Sequence, residues 1–71
     1  MNTQSATESP RLLRIPEVSQ RTGLGQSTIY AKMAASEFPR SIKLTAHSSA
    51  WLESDVNAWI AERVAASRDV A

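Results

Sequence analysis

Between Ile15 and Phe38 the chain reads IPEVSQRTGLGQSTIYAKMAASEF, two short helical patterns separated only by Gly23-Leu24-Gly25. So short a link forces the two helices to cross steeply. That geometry needs a small residue at the crossing, a glycine where the chain reverses, and apolar residues facing inward from both sides. Ser19 supplies the small contact, Gly23 the reversal, and Val18, Leu24 and Ile29 the inward set. The stretch reads as a helix-turn-helix, and the remaining residues as what such a unit needs to stand alone.

The first helix is expected over roughly Pro16 to Thr22, with Ile15 just ahead of it. Proline at the first helical position loses no hydrogen bond. Glu17 and Arg21 suit the helix dipole at their respective ends and are spaced for an i,i+4 pair. Gly25 is the expected N-cap of a second helix running from Gln26 to Ser36. On a helical wheel Ile29, Met33 and Ser36 share one side. Ser27, Thr28, Ala31 and Ala35 lie opposite, flanked by Gln26 and Tyr30. Phe38-Pro39 is read as the helix stop, because the residue before a proline is pushed out of the α region.

The run Ser41-Ile42-Lys43-Leu44 alternates like a half-buried strand, Thr45 to Ser49 reads as a turn, and Ala50-Trp51-Leu52-Glu53 as a second strand. A lone hairpin is marginal in water. It is therefore expected to lie against the helices as a wing, anchored by Ile42, Leu44 and Trp51. The last helix has Ser54 as its expected cap, Asp55 in its first turn, and Val56, Trp59, Ile60 and Val64 at core spacing. Trp51 and Trp59 are assigned to the core, where aromatic area is most useful to a small protein. The fold class is mainly α with a small β-hairpin: a winged helix-turn-helix of three helices plus wing over residues 11–65. A disordered tail is expected over residues 1–10 and a polar tail over 66–71.

Composition narrows the chemistry. A chain of 71 residues makes one domain, and at this size only about 60% of the unfolded surface is buried, so stability should be modest. With no cysteine, and His47 the only histidine, neither a disulfide nor a Cys- or His-based metal site is available, and no cofactor is expected. No apolar run approaches the ~20 residues of a membrane span, and the polar first nine residues lack the core of a secretion signal. A cytoplasmic location is expected. Catalysis is not expected, since no nucleophile has a partner, His47 is the only visible base, and Gly23-x-Gly25 is a turn without nucleotide-binding context. Charge is divided along the chain. Arg11, Arg14, Arg21, Lys32, Arg40 and Lys43 against Glu8, Glu17 and Glu37 give residues 1–43 a charge of +3. Arg63 and Arg68 against Glu53, Asp55, Glu62 and Asp69 give residues 44–71 a charge of −2. Such a split is what a small nucleic-acid binder is expected to show, and ordinary solvated charges would account for one this mild almost as well.

The order Leu-Arg-Ile-Pro-Glu-Val, Thr-Gly-Leu, Ser-Thr-Ile-Tyr, Phe-Pro-Arg, Ile-Lys-Leu, Ala-Trp and Glu-Ser-Asp-Val-Asn-Ala-Trp-Ile resembles the AlpA family of phage and prophage regulators, which belongs with excisionase and MerR-like winged helix-turn-helix proteins. The resemblance covers about residues 11–65. It implies a bacterial, nucleoid-associated DNA-binding regulator of a mobile element, acting on transcription (of an integrase gene, for example) or as an excision factor. By that resemblance residues 26–36 form the recognition helix and the turn at 45–50 the wing. Three positions depart from the pattern: Ala31 where relatives often carry a base, Lys32 where helix-turn-helix units usually carry an apolar residue, and His47 at a wing tip that is commonly basic.

The expected partner is double-stranded DNA, with the small, polar face of the second helix in the major groove. Gln26 and Ser27 are the candidates for base contacts. Thr28, Tyr30, Lys32, Arg40 and Lys43 are candidates for phosphates, Ala31 lies on the same face, and His47 and Ser48 would approach from the wing. So few basic contacts imply weak binding by one protomer, hence a homodimer or cooperative assembly on DNA. Integrase and RNA polymerase are the protein partners the family reading suggests. The alternative is a protein-interaction module, or inhibitor, without DNA binding, working through the Ala-rich face of the second helix.

Overall fold

The computed structural model describes residues 10–70. The expected N-terminal tail, apart from its last residue, lies outside that range. The elements follow in the order β1 (Leu12–Leu13), α1 (Ile15–Thr22), α2 (Gln26–Ala34), β2 (Ile42–Thr45), β3 (Ser48–Leu52) and α3 (Glu53–Val70). Three helices and a small sheet give the winged helix-turn-helix expected from the sequence. The sheet has one strand more than the hairpin: β1 pairs antiparallel with β3, placing Leu13 opposite Trp51, and β2 pairs on the other side of β3. Two residues of strand carry too little periodicity to be seen in isolation, so only the pairing with β3 reveals β1.

Helix α1 opens on Arg14, whose backbone N–H donates to Glu17 Oε1 at 3.0 Å. Glu17 is thereby used as a cap. The i,i+4 pair with Arg21 does not form, because Arg21 reaches across to α3, donating to Glu53 Oε2 at 2.6 Å and Asn57 Oδ1 at 2.7 Å. The turn is tied by side chains as well as by geometry. Gly23 adopts φ 77°, Ser19 Oγ donates to the Leu24 carbonyl at 2.6 Å, and Thr22 Oγ1 accepts from the Leu24 N–H at 3.2 Å while donating to the Val18 carbonyl at 2.8 Å. Ser19 is thus more than a small contact: its hydroxyl satisfies a carbonyl that the reversal leaves without a helical partner.

Leu13, Val18, Ile29, Phe38, Trp51 and Val56 form the buried core, with Ile15, Leu24, Met33, Trp59 and Ile60 packed around it. Both indoles are satisfied by the segment between α2 and β2, Trp51 Nε1 donating to the Pro39 carbonyl at 3.1 Å and Trp59 Nε1 to the Glu37 carbonyl at 2.8 Å. The rings also meet neighbours, Phe38 edge-on to Trp59 at 4.9 Å and Tyr30 tilted against Trp51 at 6.0 Å.

Several expectations are corrected. Ile42 and Leu44 do not anchor the wing: they are 38% and 44% exposed, and all of β2 faces solvent. β2 is an edge strand over a core already filled by Trp51, and Leu44 falls in the irregular register between Lys43 and Thr45. Helix α3 starts at Glu53 without Ser54 as its cap. The chain passes straight from strand to helix, and the Glu53 N–H is taken by the Arg11 carbonyl at 2.8 Å. Val64 is 47% exposed, since α3 packs through Val56, Trp59 and Ile60 and then runs on to Val70, through residues read as polar tail. Among the described residues no helix is long and apolar enough to cross a membrane.

The two glycines should respond oppositely to one substitution. A Cβ at either would meet no residue beyond its chain neighbours, but only Gly23 has positive φ. Gly23→Ser should cost about 1 kcal/mol through backbone strain, whereas Gly25→Ser supplies an N-cap oxygen and should add about 0.3 kcal/mol. Chemical denaturation midpoints at unchanged slope measure both.

Candidate nucleic-acid interface

Helix α2 turns one face to the core and the other to solvent. Ile29 is fully buried and Met33 packs against the core, while Gln26, Ser27, Thr28, Tyr30 and Ala31 are all exposed. The outward residues are short except for the two that flank them, so the helix backbone lies close to the surface. Its N-cap, Gly25, offers no side chain to the first turn, and the first helical bond within the element is Ile29 N–H to the Gly25 carbonyl at 3.0 Å. The N–H groups of the opening turn therefore face outward, with the positive end of the helix dipole behind them.

The far end of α2 is shaped by a Schellman motif. Glu37 N–H donates to the Lys32 carbonyl at 2.7 Å and Ser36 N–H to the Met33 carbonyl at 3.1 Å, with Ser36 at φ 63°. The helix ends at Ala34, two residues before the expected Ser36 and ahead of any influence from Phe38-Pro39. A Schellman ending usually brings an apolar contact between the residues that occupy these two positions. Here they are Lys32 and Glu37, and the contact is an ion pair, Nζ to Oε1 at 3.9 Å. Lys32 is thus partly committed to finishing its own helix.

Ser27, Thr28, Ala31 and Lys32 line one shallow depression of about 380 Å³ together with Glu37. Glu37 was not among the sequence candidates. Its place depends on the positive-φ turn at Ser36, a conformation that a serine does not announce. Gln26 and Tyr30 stand exposed on the same helix, and the Tyr30–Trp51 ring contact couples that helix to β3. Arg40 is exposed beyond the helix and shares a smaller recess of about 160 Å³ with Met33 and Ser41. In the wing, Lys43 is exposed on β2 opposite Ser49, and His47 is exposed at the turn, its N–H bonded to Thr45 Oγ1 at 3.2 Å. Ser48 is half-buried at the start of β3. The depression therefore gathers four of the candidates, while the wing candidates stand on a separate element. Among the described residues no group of three or more His, Cys, Asp or Glu could hold a metal ion.

A small outward face on a helix locked into a tight two-helix unit, followed by a wing, is a geometry that suits a DNA groove. The family model described as Prophage CP4-57 regulatory protein (AlpA) matches residues 11–64, the stretch from β1 into α3. The chain belongs to the AlpA family. Among relatives of this AlpA-family chain, the uncharacterized protein ORF88 of Enterobacteria phage P4 is 47% identical over 55 residues, covering 78% of this chain and 62% of that protein. The chain thus spans less than two thirds of the phage protein's length. The DNA-binding transcriptional activator AlpA of Escherichia coli (strain K12) is 33% identical over 69 residues, covering 89% of this chain and 94% of that protein.

The α2 ending makes its own prediction. Ser36 holds a left-handed conformation that glycine adopts without strain, so Ser36→Gly should raise stability by about 0.5–1 kcal/mol. Thermal unfolding of the variant beside the parent chain tests this, and an unchanged or lowered midpoint would show that the Ser36 turn stores no strain.

Proposed function

We propose that the protein is a DNA-binding transcriptional regulator of a phage or other mobile element, reading duplex DNA with α2 in the major groove and the wing on the sugar-phosphate backbone. The observation that carries this reading is the outward face of α2, short along Ser27, Thr28 and Ala31 and polar at the first two, while Ile29 on the opposite side is fully buried. A helix held so firmly from behind, with little standing in front of it, enters a groove about 12 Å wide without steric conflict. Family membership and the printed role of the Escherichia coli relative, a DNA-binding transcriptional activator, support the same reading.

Within this reading Gln26 and Ser27 contact base edges, and the N–H groups at the start of α2 take a phosphate, joined by Thr28, Tyr30, Arg40 and Lys43. Lys32 contributes less than an unpaired lysine, because Glu37 shares its charge. His47 and Ser48 follow the backbone from the wing. So small a set of cations favours paired or cooperative occupancy of repeated sites, and control of an integrase gene or contact with RNA polymerase are the regulatory settings to examine first. The residues are assigned to binding and none to catalysis.

In a mobility-shift assay Gln26→Ala and Ser27→Ala should each lower preference for the cognate site by about 1–3 kcal/mol while leaving non-specific binding nearly unchanged. Unaltered site preference in both variants would sink the assignment of α2 as the reading element. Binding should also weaken steeply between low and moderate salt. An affinity indifferent to salt would point instead to an apolar protein partner on α2.

Glu37 supplies a second test. Removing its charge frees Lys32 to reach a phosphate, so Glu37→Gln should tighten DNA binding and steepen the dependence of log affinity on log salt by about 0.9. A variant that binds no tighter would place Glu37 away from the DNA surface.

A further inference from the structure

Glu37 stands between two concavities. One is the depression on α2. The other is a groove of about 570 Å³ between the turn at residues 36–39 and α3. Phe38, Pro39, Ala58 and Trp59 line it, and the edge-to-face contact of Phe38 with Trp59 and the Trp59 hydrogen bond to the Glu37 carbonyl hold that lining in place. Three carboxylates, Glu37, Asp55 and Glu62, stand around this lining against the single guanidinium of Arg63. Asp55 and Glu62 make no ion pair among the described residues, and Glu37 has only its 3.9 Å contact with Lys32.

A trough with a partly apolar lining and a rim on which carboxylates outnumber the one guanidinium complements a cation carried next to an aliphatic side chain. It is equally unsuited to a phosphate backbone, so it would remain open while the α2 face is occupied by DNA. We propose that this groove is a docking site for a basic, aliphatic-bearing segment of a partner protein, available at the same time as the DNA-reading face. The proposal leans on the DNA-binding reading only for that simultaneity. Charge complementarity and the fixed aromatic lining carry the choice of occupant. The groove would let a DNA-bound protomer recruit a second protein.

The test uses the full isotope-labelled chain, a short end-blocked peptide alternating arginine and leucine, and a random-sequence DNA duplex, followed by NMR. The peptide should move the Glu37 and Phe38 amides, the Trp59 indole N–H and the amides near Ala58 and Glu62. The duplex should move α2 and the wing, and the two responses should add. Asp55→Lys combined with Glu62→Lys should weaken the peptide about tenfold and leave the duplex response intact. Replacing the peptide's leucines by glycine should weaken it as well, through loss of the apolar contact. The docking site is overturned if the peptide leaves the groove unmoved, if charge reversal does not weaken it, or if the duplex itself occupies the groove. It is also overturned if groove resonances shift with protein concentration alone, which would mark a second copy as the occupant. A peptide seated in the groove with no duplex response on α2 or the wing would support the docking site and overturn the DNA-binding reading.

Discussion

Two indole N–H groups from different elements converge on the connector that follows α2. Trp51 of β3 holds the Pro39 carbonyl and Trp59 of α3 holds the Glu37 carbonyl, with Phe38 buried between them. Trp51 is fully buried, so its indole without that acceptor would lose hydrogen-bond energy that a domain of this size could ill spare. The Trp59 bond is exposed and contributes less, but it fixes the same connector. Because the connector joins α2 to β2, its position sets where the helix stops and where the wing starts. The orientation of the outward α2 face relative to the wing therefore depends on two tryptophans that belong to neither surface.

The turn between α1 and α2 is constrained at the opposite end of the same helix. Gly23 provides the conformation, and the hydroxyls of Ser19 and Thr22 satisfy the backbone groups that the reversal exposes. Helix α2 is thus gripped at both ends and along its buried side by Ile29. Rigidity of this kind reduces the ordering cost when a helix enters a groove, which matters for a protein with few cations to contribute.

Charge is arranged about a boundary. Exposed candidates for phosphate contact lie on α2, the connector and β2, whereas Asp55 and Glu62 lie beside the groove on α3, and Glu37 sits where the two regions meet. Glu53 does separate work, accepting Arg21 at 2.6 Å and lying 3.7 Å from Arg11, so two of the basic residues in the N-terminal half are spent joining α1 and the start of the sheet to α3. The formal charge of that half overstates what is free to meet DNA.

The helix-turn-helix itself was legible in the sequence, because Gly23, the inward Val18 and Ile29, and the small outward residues of α2 are local signals with a fixed spacing. The core role of Trp51 was equally plain, since a residue so large has few other places to go in a small domain, whereas Trp59, also assigned to the core, is half-buried at its margin. What only the tertiary structure decided has a common physical cause: competition among partners distant in the chain. Arg21 prefers Glu53 and Asn57 over Glu17. β1 exists because β3 offers it an edge, and α3 starts at Glu53 because the Arg11 carbonyl takes the N–H there. Ile42 and Leu44 alternate like core residues but fall on an edge strand with no space beneath it. Of the proposed contacts, Gln26, Ser27, Thr28, Tyr30 and Ala31 share a helix face by periodicity alone. The pairing of Lys32 with Glu37 could not be read that way, because it follows from the left-handed turn at Ser36, which no side-chain pattern encodes.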